Sequence, residues 1–206
     1  TRAELRRSGS ELDSYREKVT DKITRKFSEI DYRVEFRTLN SADYGVPQKR
    51  ERVFFIGTWL DVDIAFPART HAREPGQTTL SGGGPLKAWN TVREAIDDLK
   101  DLPDSAVTNH KITNHGDDFL RKIRATPLGK SVFGNYSDSF FRNPPDEPSR
   151  TVKENHGGVH VHYEKDRVMT PRELARLQTF GDDFVFEGTK NNVLVQIGNA
   201  VPPELG

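Results

Sequence analysis

Asn40-Ser-Ala-Asp-Tyr-Gly-Val-Pro-Gln-Lys-Arg-Glu-Arg-Val-Phe-Phe-Ile-Gly57 is the stretch on which the reading of this 206-residue chain turns. It opens on turn chemistry, with Asp43, Gly45 and Pro47 punctuating the backbone. It closes on Val53, Phe54, Phe55 and Ile56, a short apolar run that predicts a strand buried on both faces. Between them, Gln48, Arg50 and Arg52 fall at every second position, so an extended backbone points all three side chains one way. An amide and two planar, permanently charged donors would then meet at the mouth of that strand. Taken as charges alone, they read first as a basic edge leading into a core strand.

Working outward, the composition sets bounds. The chain is 33% hydrophobic and 30% charged, a lean apolar share that fits either a polar binding surface or a piece of a larger protein. Its 31 basic and 31 acidic residues cancel, so any nucleic-acid surface must come from local segregation of charge. Lys49 to Arg52 and Arg121 to Lys130 are basic; Asp97 to Asp104 and Gly181 to Glu187 are acidic. There is no cysteine, so disulfides and thiol nucleophiles are both excluded from this chain. No stretch is long and apolar enough for a membrane span, and the N-terminus lacks a signal-peptide pattern.

N-terminal to the decisive stretch, Leu12, Tyr15, Val19, Ile23 and Phe27 predict an amphipathic helix over Glu11 to Ser28. Tyr32, Val34 and Phe36 alternate with charges, as in a half-buried strand. Beyond it, Trp59 to Trp89 reads as a connector, and its glycines at 82 to 84 lack the strand and helix that a phosphate loop needs. Thr91 and Glu94 form a capping-box pair, as do Thr170 and Glu173 around Pro171. Behind the second box, Leu174, Leu177 and Phe180 face inward and Arg172 and Arg176 share the other face. A further short helix puts Phe119, Leu120 and Ile123 inward and Arg121, Lys122 and Arg124 outward. His156, His160 and His162 invite a zinc reading, but no cysteine assists and the expectation is no metal. The repeated Asn109-His110 and Asn114-His115 read as satisfied loop residues.

Three strings together resemble the C5-cytosine DNA methyltransferase family. Tyr44-Gly-x-Pro-Gln-x-Arg-x-Arg52 is similar to its eighth motif. Arg172-Glu-Leu-Ala-Arg-Leu-Gln-Thr-Phe-Gly-Asp-Asp-Phe184 is similar to the ninth, with Gly181 where proline is usual. Gln196-Ile-Gly-Asn-Ala-Val-Pro-Pro203 is similar to the tenth. The resemblance implies an α/β chain: the terminal part of a Rossmann-like S-adenosylmethionine-dependent sheet plus a small irregular α+β target-recognition domain. It places the catalytic part at 1–66, the recognition domain at 67–185 and a return to the catalytic domain at 186–206, with the two early strands antiparallel at a sheet edge.

By that resemblance Arg52 holds the O2 of a flipped cytosine, and Arg50, beside it with Gln48, steadies a phosphate. Asn199, Ala200 and Val201 contact S-adenosyl-L-methionine. Composition alone makes Leu128 to Arg142 an ordinary Gly/Ser surface loop; beside the three motifs, Lys130, Ser131, Asn135, Tyr136 and Arg142 become candidates for reading base edges. Arg150, Thr151 and Lys153 join them, around a Thr-hydrophobic pair typical of such recognition regions. The implied partners are double-stranded DNA and an N-terminal catalytic part carrying the Pro-Cys-Gln and Phe-x-Gly-x-Gly stretches that this sequence lacks. The implied setting is the cytoplasm of a bacterium or archaeon. Two other readings stay open: a stand-alone DNA-binding module that never catalyses, and a fragment with no specific binding.

Overall fold

Strand β1 (Arg33–Asn40) leads into the decisive stretch, β2 (Glu51–Thr58) forms its second half, and the two pair with each other. Ser41 N–H donates to the Arg50 carbonyl at one end, Phe36 meets Phe55 midway, and Gly57 lies against Val34 at the other. The strands are therefore antiparallel. The computed structural model describes residues 18–76, 84–134, 139–153 and 159–206, and divides into two compact units.

The first unit comprises residues 1–39 and 52–67. Helix α1 (Val19–Ser28) precedes β1, its last turn carrying Arg25 and Lys26 on Glu29. The predicted helix start at Glu11, with Leu12 and Tyr15, lies outside the described residues. Phe27 packs edge-on to Tyr32, and Arg37 sits 4.7 Å above the Phe66 ring. The expected two-face burial of β2 is corrected: Val53 is exposed, and Phe54, Phe55 and Ile56 are only half-buried. Among the described residues the sheet holds only these two strands, so no third strand flanks them. Helix α1 likewise has no buried residue despite its amphipathic pattern.

The second unit comprises residues 40–51 and 68–206. Residues 40–51 and 186–206 thus cluster with the middle of the chain, and one crossing falls between Pro67 and Ala68. A 3-10 turn (Ser41–Tyr44) ends at Gly45, whose φ of +93° disfavours a side chain. A Cβ there would also come 3.0 Å from His71 Cε1. Gly45→Ala is expected to cost about 1–2 kcal/mol of stability in urea denaturation. No loss would mean that the turn relaxes freely. β3 (His71–Ala72) and β4 (Lys87–Ala88) then pair in parallel.

Three helices build the core: α2 (Val92–Ile96), α4 (Pro171–Leu177) and α5 (Lys190–Asn199). Val92, Ile96, Met169, Leu174, Leu177, Val193 and Ile197 form one cluster with Val152 and Val159. Both predicted capping boxes are present, at Thr91/Glu94 and at Thr170/Glu173. Between α2 and α4, α3 (Asp117–Ala125) buries Ile123 and half-buries Phe119 and Leu120, while Arg121, Lys122 and Arg124 stay exposed.

Helix α4 departs from the expected two-faced pattern, since Arg172 is buried as completely as Leu174. Its guanidinium donates to the carbonyls of Thr108 (2.8 Å), Gly181 (2.7 Å) and Phe184 (2.7 Å), so the charge closes three backbone ends rather than facing water. Arg176 lies in a carboxylate fork, at 2.6 Å from Asp182 and 2.5 Å from Asp98. Glu173 is fully buried and receives both guanidinium arms of Arg167, at 2.8 and 2.7 Å, together with Thr170 N–H at 2.7 Å. His162 lies behind this pair, its Nε2 3.8 Å from the Glu173 carboxylate and its Nδ1 accepting from the N–H groups of Glu164 and Lys165.

Candidate functional site

Residues 47–50 run beside residues 149–152 as a short parallel ladder. Ser149 N–H donates to the Pro47 carbonyl (2.9 Å) and Lys49 N–H to the Ser149 carbonyl (2.8 Å). Thr151 Oγ1 then donates to the Lys49 carbonyl at 2.9 Å. Period-two alternation puts Gln48 and Arg50 on the same side of this ladder, as the sequence predicts, and both reach Val152. The Gln48 carboxamide oxygen accepts from Val152 N–H (2.9 Å), while its Nε2 donates to the Leu177 carbonyl at the end of α4 (3.2 Å). Arg50 donates to the carbonyls of Val152 (2.8 Å), Gly198 (2.9 Å) and Ala200 (3.2 Å).

Gln48 and Arg50 are thus buried and bonded to backbone. The phosphate contact expected of Arg50 gives way to an internal clamp, because a guanidinium enclosed at 4% exposure offers no face to a polyanion. Arg52, at the start of β2 in the first unit, is exposed. The three residues at alternate positions therefore divide into two buried braces and one exposed cation.

Two residues missed in the sequence support this ladder. Asn40 Oδ1 accepts from Arg50 N–H at 3.2 Å and Ala42 N–H at 3.4 Å, and Ser41 Oγ meets the Gln48 carbonyl at 2.9 Å. The signal was local: an Asn-Ser pair beside a turn satisfies nearby backbone groups.

The turn after α5 carries the expected cofactor residues. Asn199 ends the helix with an exposed carboxamide, Ala200 is half-buried and extended, and Val201 is exposed. An amide that donates and accepts, next to an apolar side chain, fits the polar and aromatic parts of a nucleoside cofactor. Arg50 holds the two carbonyls that bracket Asn199.

The expected DNA-contacting residues scatter in role. Arg142 is corrected: its guanidinium donates to the carbonyls of Tyr163 (3.2 Å), Ile123 (3.2 Å) and Thr126 (3.1 Å), bracing the fold. Ser131 lies in a hairpin stem, bridged to Phe141, with its hydroxyl donating to the Ser139 carbonyl. The base of that stem is a cluster of Phe119, Phe133 and Phe140 rings. Asn135 and Tyr136 lie outside the described residues. Lys130 and Lys153 are exposed, and half-buried Arg150 stacks 3.7 Å above Phe141. Thr151 is committed to Lys49, as above. Of the three histidines weighed for zinc, His156 lies outside the described residues, while His160 and His162 are buried. No group of three metal-capable side chains occurs among the described residues, and none of their helices is long and apolar enough to cross a membrane.

Residues 11–206 match the family of C-5 cytosine-specific DNA methylases. The chain is 35% identical over 201 residues to the type II methyltransferase M1.HphI of Haemophilus parahaemolyticus, covering 91% of this chain and 50% of that protein. Identity to M.NgoFVII of Neisseria gonorrhoeae is 34% over 208 residues, covering 94% and 53%. This chain therefore spans about half the length of these curated relatives. Among solved structures, a prophage-encoded E. coli protein described as a DNA modification methyltransferase superposes with a TM-score of 0.69 at 23% identity, covering 92% of this chain and 63% of that one. The S. pombe Dnmt2 methyltransferase gives 0.55 at 12% identity, covering 92% and 59%. At such identities the likeness is one of fold, a partial α/β methyltransferase architecture.

Proposed function

Because this chain belongs to the C-5 cytosine-specific DNA methylase family, we propose that it supplies the recognition region and part of the active site of a type II DNA (cytosine-5-)-methyltransferase. On this reading residues 1–66 and 186–206 serve the catalytic domain and 67–185 the target DNA. The observation that carries the proposal is the clamp of Gln48 and Arg50, which ties the segment at Val152 to the turn bearing Asn199. Recognition residues and cofactor residues thereby share one rigid support.

S-adenosyl-L-methionine, the family's methyl donor, supplies an electrophilic methyl group when bound; Asn199 and Val201 would hold it. The target cytosine is flipped out of the duplex. Arg52 donates to its O2 and stabilises negative charge that develops when a thiolate adds at C6. Exposure suits Arg52 to this task, for it must meet a base arriving from outside the chain. The thiolate comes from a partner polypeptide or segment, since this sequence contains no cysteine. Lys130, Arg150 and Lys153 face the duplex and lower its phosphate repulsion.

The test mixes this chain with a fragment carrying the first half of the family's sequence, cytosine-containing duplex DNA and S-adenosylmethionine labelled in its methyl group. Transfer to C5 is expected in the mixture and not with either part alone. Arg52→Ala should reduce the rate about 100-fold or more while the two parts still associate. Association without transfer would sink the proposal. Tight, site-specific duplex binding by this chain without partner or cofactor would then favour a DNA-binding module.

A further inference from the structure

We infer that Arg50 is a positioning residue that couples cofactor binding to DNA binding, an assignment that rests on the function proposed above. Its two terminal nitrogens reach three carbonyls from separate parts of the chain: Val152, Gly198 and Ala200. Val152 sits between Thr151 and Lys153 in the recognition segment. Gly198 and Ala200 bracket Asn199, the exposed residue that the proposed function assigns to the cofactor. One rigid, planar group therefore fixes the distance between the two segments.

The surrounding bonds make the linkage stiff. Gln48 binds Val152 N–H while Arg50 binds the Val152 carbonyl, so both polar groups of that residue are held from one side of the ladder. Gln48 also takes the Leu177 carbonyl, and Gln178 Nε2 donates to the Ile197 carbonyl, tying the end of α4 to the last turn of α5. The core then anchors Val152, Leu177 and Ile197 together. A cofactor that draws the Asn199 turn into one position also sets Val152 through Arg50, and DNA that seats the segment at 150–153 sets the turn. Such linkage is reciprocal: each ligand tightens the other by the same factor.

Lysine at position 50 retains the charge but offers a point donor in place of a fork, and cannot hold three carbonyls in fixed geometry. The measurement is the affinity of S-adenosylhomocysteine, with and without saturating duplex DNA, on the complex of this chain with its complementing half. Unmutated complex should show roughly 10-fold tighter cofactor binding when DNA is present, within the usual range of coupling. Arg50→Lys should bring that ratio near one, with each separate affinity changed less than threefold.

Arg172→Lys is the matched control. It also weakens a guanidinium on three carbonyls, those of Thr108, Gly181 and Phe184, but none belongs to the two coupled segments. Its ratio should stay near 10-fold even where its stability falls as far. An undiminished ratio in Arg50→Lys overturns the coupling role and leaves the functional reading intact. Equal loss of ratio in both variants also overturns it, by showing general loosening. Absence of cofactor and DNA binding by the unmutated complex overturns both.

Discussion

Arg167→Ala is expected to remove about 3–5 kcal/mol from the stability of the second unit, the size of effect found when one partner of a buried ion pair is deleted. Glu173 is fully buried, and Arg167 meets it with two parallel hydrogen bonds. Removing the guanidinium leaves a buried carboxylate that still accepts from Thr170 N–H, on the backbone of its own helix start. The loss reaches beyond the pair, because the same carboxylate closes the capping box of α4, and α4 packs against both α2 and α5. Urea denaturation followed through Trp89, in a Trp59→Phe background, would report it. Arg167→Met combined with Glu173→Gln should recover most of the loss, since no charge is then stranded. A loss below about 1 kcal/mol in Arg167→Ala would show that the pair contributes no more than an exposed ion pair does.

The second large effect is on pH dependence. Burial holds His162 to a pKa of about 4, against an ordinary value of 6.5; Glu173 and Glu164 oppose the shift, and Arg167 and Lys165 reinforce it. The folded state thus binds its proton less readily than the unfolded chain. Between pH 6.5 and 4 the unfolded state holds the extra proton, so stability is complete above the upper value and falls as pH is lowered. The whole window amounts to roughly 3 kcal/mol. His162→Asn keeps an acceptor near the N–H groups of Glu164 and Lys165 but cannot titrate. Its stability should vary less with pH than that of the unmutated chain across this window, by about that amount. Parallel pH profiles would show that His162 is neutral to the balance, and that the acid limb belongs to carboxylates alone.

What could be read in the sequence was mainly what lies close in the sequence. Thr170, Pro171 and Glu173 specify a helix start within four positions, and the same holds for Thr91 and Glu94, so both capping boxes formed as expected. Arg50 was misjudged because its partners lie 102, 148 and 150 positions away, and nothing local distinguishes a buried clamp from an exposed phosphate ligand. Arg142 and Arg172 share the lesson: an arginine among polar neighbours reads as a surface charge until the carbonyls it closes are known. The apolar run at Val53 to Ile56 was read as a strand, which it is. Its burial was overestimated, because apolar residues record that a layer would be favourable and not whether it is present. Arg52 is legible only through its motif, since many other lysines and arginines of the chain are equally exposed.

The division of the chain bears on how recognition specificity could be transplanted between relatives. The second unit is discontinuous: twelve residues, Asn40 to Glu51, belong to it although they precede the crossing at Pro67. A hybrid made by exchanging only the continuous stretch from Ala68 onward would part Val152 and Ala200 from the Gln48 and Arg50 that hold them. The graft would then dock on a host ladder selected for a different companion. Exchange of both pieces keeps donor and acceptor groups of common origin. On the proposed function, the cassette of inheritance for recognition is therefore split, and its shorter piece is hidden inside what reads as a catalytic motif.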